Sequence, residues 1–184
     1  KYLHQNRVRI GASTFLSTFF ELKGLRIKSV VPVDINAASE VEELSASDAP
    51  WRSARFRLDR AGKEVVVDYL RVDLSDKALS ANPHHQQFVH RTAAHPVLLK
   101  AASHLPQNSS FSIVADSLST QAPFIVQDET GIKYSQLRTH FAIRLYGKFE
   151  RPHKSFGSYQ RDLAKAFAES SDVRPLDFRV GYFK

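Results

Sequence analysis

The pattern of apolar and polar positions predicts helices and strands that alternate along most of the chain. Apolar residues at helical spacing predict helices, and alternating or β-branched apolar runs predict strands. The predicted helices are 12–23, 96–105, 111–121, a single turn at 134–138, and 159–169. The predicted strands are 25–35, 51–58, 63–72, 124–127, 140–149 and 178–183. This order favours an α/β or α+β fold, a single domain in which helices pack on a mixed β-sheet.

Two connections in the first half of the chain carry distinct signals. Residues 36–50 contain four carboxylates among Ala and Ser and few large apolar side chains, so we interpret them as an exposed acidic loop. The turn at 59–62 ends in Gly62, which adopts positive φ without strain. The strand that follows, 63–72, is apolar enough to predict a central position in the sheet.

Composition limits the classes of function that need to be considered. With 184 residues and a hydrophobic share of 42%, the chain suits one α/β domain, 1–184, with a substantial core. It has no Cys, which excludes disulfides, Cys-ligated metals and a thiol nucleophile. No apolar run approaches the roughly 18 residues of a transmembrane helix, so we expect no transmembrane segment.

The strongly basic charge balance favours anionic partners. The net charge is +7 and the sequence pI is about 9.7. Nucleic acid, acidic lipid, envelope polysaccharide and phosphorylated or carboxylated molecules all fit this balance. The alternative is that the charge serves solubility and provides a patch for an acidic protein partner.

Three residues are candidates for catalysis, although no phosphate-binding or nucleophile-elbow motif is present. Asp73 follows the strand 63–72, and ligand sites collect at the carboxyl ends of such strands. The alternative there is a helix cap for the segment that begins at residue 77. Asp128 could act as a general base if it lies beside Lys100 or Arg144, because a neighbouring cation keeps a carboxylate ionised. The alternative is that Asp128 only starts a turn.

The segment from residue 144 to residue 161 interleaves cations with aromatic side chains. Side chains alternate along a strand, so Arg144, Tyr146 and Lys148 would share one face of the predicted strand 140–149. The following loop and helix add further candidates, so the predicted ligand-binding residues are Arg144, Tyr146, Lys148, Arg151, Lys154 and Tyr159. Aromatic rings between cations suit sugars, nucleobases or phosphorylated glycans. A buried core on one side of the segment would give the same pattern.

Five of the eight His residues lie close together, at positions 84, 85, 90, 95 and 104. They do not form a zinc motif, because His-Glu-x-x-His is absent and no carboxylate lies between His84 and His104. We therefore predict no metal site and no cofactor, with these His residues solvated or capping helices.

Six segments, in order, give the chain a resemblance to a known family. They are Val-Asp-Leu-Ser (72–75), Leu-Lys-Ala-Ala-Ser (99–103), Val-Gln-Asp-Glu-Thr-Gly-Ile (126–132), Leu-Tyr-Gly-Lys-Phe (145–149), Tyr-Gln-Arg-Asp-Leu (159–163) and Pro-Leu-Asp-Phe-Arg-Val-Gly-Tyr (175–182). The chain resembles the C-terminal half of an uncharacterised family of bacterial, exported proteins. It departs from that pattern at 129–131, where we expect a second carboxylate and Ser-Gly.

The resemblance implies architecture and location, and it carries no activity. Family members are longer and have an α/β half before the matching part, and this chain starts with Lys1 in place of Met. We therefore expect the C-terminal part of a longer protein that is exported to the periplasm or envelope. The N-terminal part of the same protein would then be a partner.

The function we favour from the sequence is a binding module for an anionic small molecule or glycan: an envelope glycan, or a phosphorylated or carboxylated molecule. The first alternative is a hydrolase or transferase whose site is shared with the N-terminal half. The second alternative is nucleic-acid binding, which we rank lower because no recognised module is visible.

The absence of a metal motif generates a testable prediction. Purified, untagged protein should contain no stoichiometric zinc, since the His residues lack the ligand spacing of a zinc site. Elemental analysis by plasma mass spectrometry checks this. Stoichiometric zinc that is lost when His84 and His90 are both replaced by Ala would contradict it.

Overall fold

The fold is known from a computed structural model that describes residues 11–45, 52–100, 108–149 and 157–176. The chain divides into two compact units. The first comprises Lys1–Asp73 with Pro83–Phe88, and the second comprises Leu74–Asn82 with Val89–Lys184. The predicted strand 178–183 and residues 1–10 lie outside the described residues.

The structure contains helices together with antiparallel and parallel strands, which confirms the predicted fold class. The arrangement is α+β. A curled four-stranded sheet in the first unit is antiparallel, and a two-stranded sheet in the second unit is parallel. In the described parts of the chain, no helix is both long and apolar enough to cross a bilayer.

The first unit is one helix packed on an antiparallel sheet. Its elements are α1 Gly11–Leu22, β1 Arg26–Ile35, β2 Val41–Glu43, β3 Ser53–Arg60 and β4 Lys63–Tyr69. The strand order is β2-β1-β3-β4. The helix ends at Gly24, whose φ of +70° makes it the expected terminating glycine. The turn between β3 and β4 consists of Ala61 and Gly62, both at positive φ, as a two-residue hairpin requires.

Alternating side chains give the sheet one apolar face and one charged face. Phe56 and Leu58 of β3 are fully buried, and the Phe20 ring of α1 meets the Phe56 ring edge-on at 5.2 Å. The intervening residues Arg55 and Arg57 lie on the opposite face, where ion pairs join neighbouring strands. Burial of the apolar face between helix and sheet therefore forms the core of this unit.

Two expectations about this unit need correction. Residues 36–50 are not simply a loop, because Val41–Glu43 forms an edge strand paired with β1; residues 46–50 lie outside the described part. The strand 63–72 is shorter than expected and lies at an edge of the described sheet instead of its centre. Only alternate residues of β4 pack on the core, and Val66 remains half-exposed. The hydrophobicity of the strand sequence did not show that only one face of β4 packs on the core.

The second unit is built around a short parallel strand pair. Its elements are α2 Asp76–Ala81, β5 Val97–Leu99, a 3₁₀ turn Ser109–Phe111, α4 Ser112–Gln121, β6 Ile125–Gln127, α5 Tyr134–Leu137 and α6 Gly157–Glu169. Helix α3, Pro83–Ala93, begins in the first unit and ends in this one. The core side chains come from several of these elements: Leu79, Ala93, Val114, Ala115, Leu118, Ile132 and Leu137.

Two further expectations are wrong in this unit. The predicted helix 96–105 begins instead as strand β5, which pairs in parallel with β6; residues 101–105 lie outside the described part. The predicted strand 140–149 forms only one isolated bridge in the described residues, between Tyr146 and Arg174. Short apolar runs do not distinguish helix from strand, and long-range pairing decides the outcome.

Asp76 links two helices that are distant in sequence. Its Oδ1 accepts a hydrogen bond from the Ile113 backbone N–H at 2.9 Å, and its Oδ2 accepts from the Ser112 backbone N–H at 3.0 Å and from the Ser112 hydroxyl at 2.7 Å. Asp76 therefore caps the start of α4 from the first turn of α2. Burial raises the pKa of Asp76, but these hydrogen bonds outweigh it and leave the pKa below 3.8.

Removal of this cap should destabilise the chain. Asp76→Ala is expected to lower the free energy of unfolding by about 1 kcal/mol, because two backbone N–H groups of α4 lose their acceptor. Urea denaturation at neutral pH measures the change. Asp162→Ala on the exposed side of α6 is the matched control and should change stability by less than about 0.5 kcal/mol.

The comparison of wild type with Asp76→Ala also gives a test by pH. A carboxyl whose pKa is lowered by folding contributes stability above its unfolded pKa, which is near 3.8, and loses it as the pH falls through the folded value. The stability difference between wild type and Asp76→Ala should therefore shrink as the pH falls below about 4. A difference that stays constant to pH 2 would contradict the capping role.

Candidate functional site

The register of the two parallel strands places two candidate residues side by side. Leu99 pairs with Gln127. The next residues, Lys100 after β5 and Asp128 after β6, therefore both leave the sheet at the same edge. Their side chains form an ion pair between Lys100 Nζ and Asp128 Oδ2. The carboxyl ends of parallel strands are a common location for ligand sites, so this edge is the first candidate site.

The turn after β6 holds Asp128 in place. Asp128 Oδ1 accepts hydrogen bonds from the backbone N–H of Thr130 at 3.0 Å and from the Thr130 hydroxyl. The Asp128 carbonyl accepts from the Gly131 N–H at 3.2 Å, which closes the predicted turn 128–131. Both carboxylate oxygens of Asp128 are therefore engaged, one by the turn and one by Lys100.

Gln127 fixes the far end of the same turn. Its side-chain amide donates to the Ile132 carbonyl at 2.8 Å and accepts from the Ile132 N–H at 3.0 Å. The carboxamide passes so close to Gly131 that a Cβ on that residue would lie 2.5 Å from Gln127 Cδ. A larger residue here would therefore displace the Gln127 carboxamide from its hydrogen bonds to Ile132.

The ion pair holds both of its members in the charged state. Burial raises the pKa of Asp128, but hydrogen bonds from Lys100 and Thr130 outweigh it and lower the pKa below its ordinary value. The hydrogen bond to Asp128 raises the pKa of Lys100. A general base or acid works best with a pKa near the working pH, and these shifts move the pKa of each group further from neutral pH. The geometry is therefore better suited to fixing the turn than to proton transfer.

Asp73, the remaining candidate for catalysis, is an exposed residue of the first unit. Two residues further on, the Ser75 side chain accepts a hydrogen bond from the Ala78 N–H at 3.3 Å as the N-cap of α2. That contact confirms the alternative explanation of this segment, a helix cap. The partner of Asp128 is Lys100, one of the two cations we expected.

The basic segment 141–149 is the second candidate site, and its exposure alternates as predicted. Phe141, Ile143 and Leu145 are half-buried, whereas Arg144 and Lys148 are exposed. Tyr146, between the two cations, has 47% of its surface exposed. The alternation was correct even though the segment does not form a strand ladder.

Three contacts hold this segment against the rest of the second unit. Gly147 N–H donates to the Arg174 carbonyl at 2.8 Å, and Arg174 N–H donates to the Leu145 carbonyl at 3.0 Å. The Phe149 ring stacks on Phe167 of α6 with centroids 5.7 Å apart. Residues paired in a parallel bridge project their side chains to the same side, so Arg174 lies beside Tyr146.

The cations of this segment lack acidic partners in the described structure. Neither Arg144 nor Lys148 forms an ion pair with any residue in the described ranges, and the Arg174 guanidinium lies 3.9 Å from the exposed Asp172 carboxylate. Arg151, Lys154 and the side chain of Tyr159 lie outside the described residues, so their predicted role stays a prediction.

The His cluster shows no metal site in the described part of the chain. The rings of His84 and His85 are in edge-on contact, with centroids 4.4 Å apart. Burial and the neighbouring His84 lower the pKa of His85, while Asp34 opposes them. No three His, Asp or Glu residues in the described ranges come together to hold a metal ion. The prediction about zinc stays a prediction, because His104 is not described.

Comparisons with known proteins add no family or function. The chain matches no protein-family model, no curated protein and no solved structure. The resemblance to exported bacterial proteins and the expected periplasmic or envelope location therefore stay predictions.

Sequence reasoning missed Arg174 and Gln127. Arg174 belongs to the second site through a backbone bridge to Tyr146, 28 positions away, and no local pattern indicates that pairing. Gln127 could have been noticed as a polar residue at the end of an apolar strand, four positions before a glycine. The buried amide of Gln160 on α6 donates to the Glu129 carbonyl at 3.4 Å and supports the same turn.

The close approach at Gly131 generates a prediction. Gly131→Ala should reduce the free energy of unfolding by about 1–3 kcal/mol, because Gln127 must give up its hydrogen bonds to Ile132 to make room. Thermal or urea denaturation measures the loss.

A double-mutant cycle provides the control. In a Gln127→Ala background, the obstructing carboxamide is absent, and most of the penalty of Gly131→Ala should disappear. Equal penalties in both backgrounds would show that the proposed contact does not determine the residue at position 131.

Proposed function

We propose that this chain is a binding module for an anionic small molecule or glycan, and that Arg144, Tyr146 and Lys148 form part of its site. The observation that supports this most directly is the exposure of two cations without acidic partners in the described structure, on either side of an exposed aromatic ring. An anion bound there would supply the missing negative charge.

The contrast with the first unit supports this proposal. Arg55 donates two hydrogen bonds to Asp68, at 2.7 and 2.9 Å, and both Arg55 and Arg57 pair with Glu43. The Arg57 and Arg55 guanidiniums accordingly hold the pKa of Glu43 below its ordinary value. Those cations are neutralised within the fold, whereas Arg144 and Lys148 remain available to a ligand.

The distribution of charge along the sequence agrees with this location. The segment from Lys133 to Lys184 has eleven Lys and Arg and five Asp and Glu, so most of the net charge of +7 belongs to it. A surplus of one sign raises the local concentration of ligands of the opposite sign. Arg174, whose backbone bridges to Tyr146, adds a third cation to this part of the unit.

The aromatic ring favours a glycan or another ligand with a flat or apolar face. Tyr146 presents a ring and a hydroxyl between cations, so it can pack on a sugar face while the neighbouring cations bind carboxylate or phosphate groups. We place such a glycan in the bacterial envelope, in accordance with the resemblance to exported proteins.

The enzyme alternative depends on the ion pair of Lys100 and Asp128. Its location at the carboxyl ends of two parallel strands favours a site, but each group is held charged by the other. We therefore place this hydrolase or transferase activity second. Nucleic-acid binding is third, since the basic segment has the charge for it and no recognised module.

The proposal predicts a specific loss of binding. The double variant Arg144→Ala/Lys148→Ala should bind polygalacturonate, a carboxylated glycan, about three- to thirtyfold more weakly than wild type, because each exposed cation contributes up to roughly 1 kcal/mol. Affinity electrophoresis in polygalacturonate gels measures this, and binding should weaken with added salt. The stability should change by less than about 1 kcal/mol.

The matched control removes two other exposed cations from the same unit. Lys77→Ala/Arg138→Ala lowers the charge equally and should retain binding within about twofold. Neutral dextran should bind neither wild type nor variant. Equal losses of affinity for both double variants would show that binding depends only on net charge and not on a specific site. Tighter binding of single-stranded DNA than of polygalacturonate would favour the nucleic-acid alternative.

A further inference from the structure

The backbone of Arg174 is held beside Tyr146 by several contacts. The Arg174 carbonyl accepts a hydrogen bond from the Gly147 N–H at 2.8 Å, and the Arg174 N–H donates to the Leu145 carbonyl at 3.0 Å. Two residues further on, Leu176 packs over Gly147, where a Cβ would lie 3.5 Å from Leu176 Cβ. The two segments therefore run side by side, and the bridged residues Tyr146 and Arg174 project their side chains to the same side.

A carboxylate of the fold lies near the Arg174 guanidinium, but the contact is loose. Arg174 Nε is 3.9 Å from Asp172 Oδ1, which is beyond hydrogen-bonding distance. The Arg174 side chain is 48% exposed and that of Asp172 is 82% exposed, so water screens their attraction. The guanidinium donates no hydrogen bond to any residue in the described ranges. Asp172 therefore holds Arg174 only weakly.

An arginine of the first unit shows the geometry of a well-formed pair. Arg55 Nε and Nη2 donate to the two carboxylate oxygens of Asp68 at 2.7 and 2.9 Å, and these side chains are only 20% and 24% exposed. Bidentate pairing of this kind uses the planar fork of the guanidinium and is stronger than a single contact. Among the described residues, no carboxylate is aligned in this way with Arg174, so its fork can form such a pair with a ligand.

We propose that Arg174 binds the carboxylate of a uronic acid unit and that Asp172 competes with the ligand for Arg174. This inference rests on the binding function proposed above and names the class of sugar. A uronate carries its carboxylate at the edge of the sugar ring, so a ring that packs on Tyr146 places that group beside Arg174. The ligand carboxylate then takes the place of Asp172, whose charge opposes binding.

Removal of the competing charge should tighten binding, whereas loss of a merely structural contact would not. The full chain with Asp172→Asn should bind oligogalacturonate about two- to fivefold more tightly than wild type at low ionic strength. Isothermal titration calorimetry measures the affinity. The control Asp116→Asn removes another exposed carboxylate from the same unit, keeps an oxygen that can accept from Gln136, and should bind like wild type.

A double-mutant cycle tests whether Asp172 acts through Arg174. Arg174→Ala should weaken binding of oligogalacturonate about three- to tenfold, and in that background Asp172→Asn should no longer tighten it. Arg174→Lys should also weaken binding, because an ammonium keeps the charge but cannot form two parallel hydrogen bonds. Fully methyl-esterified oligogalacturonate has no carboxylate and should bind neither wild type nor Asp172→Asn.

The outcomes separate this inference from the binding function on which it rests. Unchanged or weaker binding by Asp172→Asn would overturn the inference, and the proposed function would stand if Arg144→Ala/Lys148→Ala still lost affinity. An equal gain from Asp172→Asn with and without the Arg174 side chain would also overturn it, because Asp172 would then act by general repulsion. Absence of oligogalacturonate binding by wild type would contradict both.

Discussion

The parallel pairing of β5 and β6 is the constraint on which the second unit depends. Because the two strands are parallel and connected through α4, their carboxyl ends emerge together, and Lys100 meets Asp128. The turn that follows is then fixed by Asp128 and Gln127, which bring Ile132 into the core. An ion pair at strand ends usually suggests chemistry, but here both members are held charged, and its main effect is to order the turn.

The second site has the opposite character, since Arg144 and Lys148 form no ion pair with any residue that the structure describes. The backbone of 145–147 is fixed by the bridge to Arg174, and Phe149 is anchored on α6. The side chains of Arg144, Tyr146 and Lys148 remain exposed on this fixed backbone. A backbone that is already held by hydrogen bonds loses less entropy on binding, which is an advantage for a recognition surface.

Local signals in the sequence predicted the elements that depend on local interactions. Helix α1 with its terminating Gly24, the hairpin of β3 and β4, helix α4 and the turn after β6 all follow from periodicity and turn chemistry. The errors concern pairing between distant segments. Nothing within 96–105 shows that Val97–Leu99 has a partner at Ile125–Gln127. In the same way, the apolar residues of β4 do not show that one of its two edges has no neighbouring strand in the described sheet. The alternation within 141–149 was correct because it reflects burial of one side of an extended segment.

The central claim is that the basic segment of the second unit binds an anionic ligand at Arg144, Tyr146 and Lys148. The most direct measurement is a titration of ¹⁵N-labelled protein with oligogalacturonate, followed by amide chemical shifts. The account predicts that the largest changes fall on residues 144–149 and on Arg174, the bridge partner of Tyr146. Changes that are absent there, or are largest around Lys100 and Asp128, would contradict it.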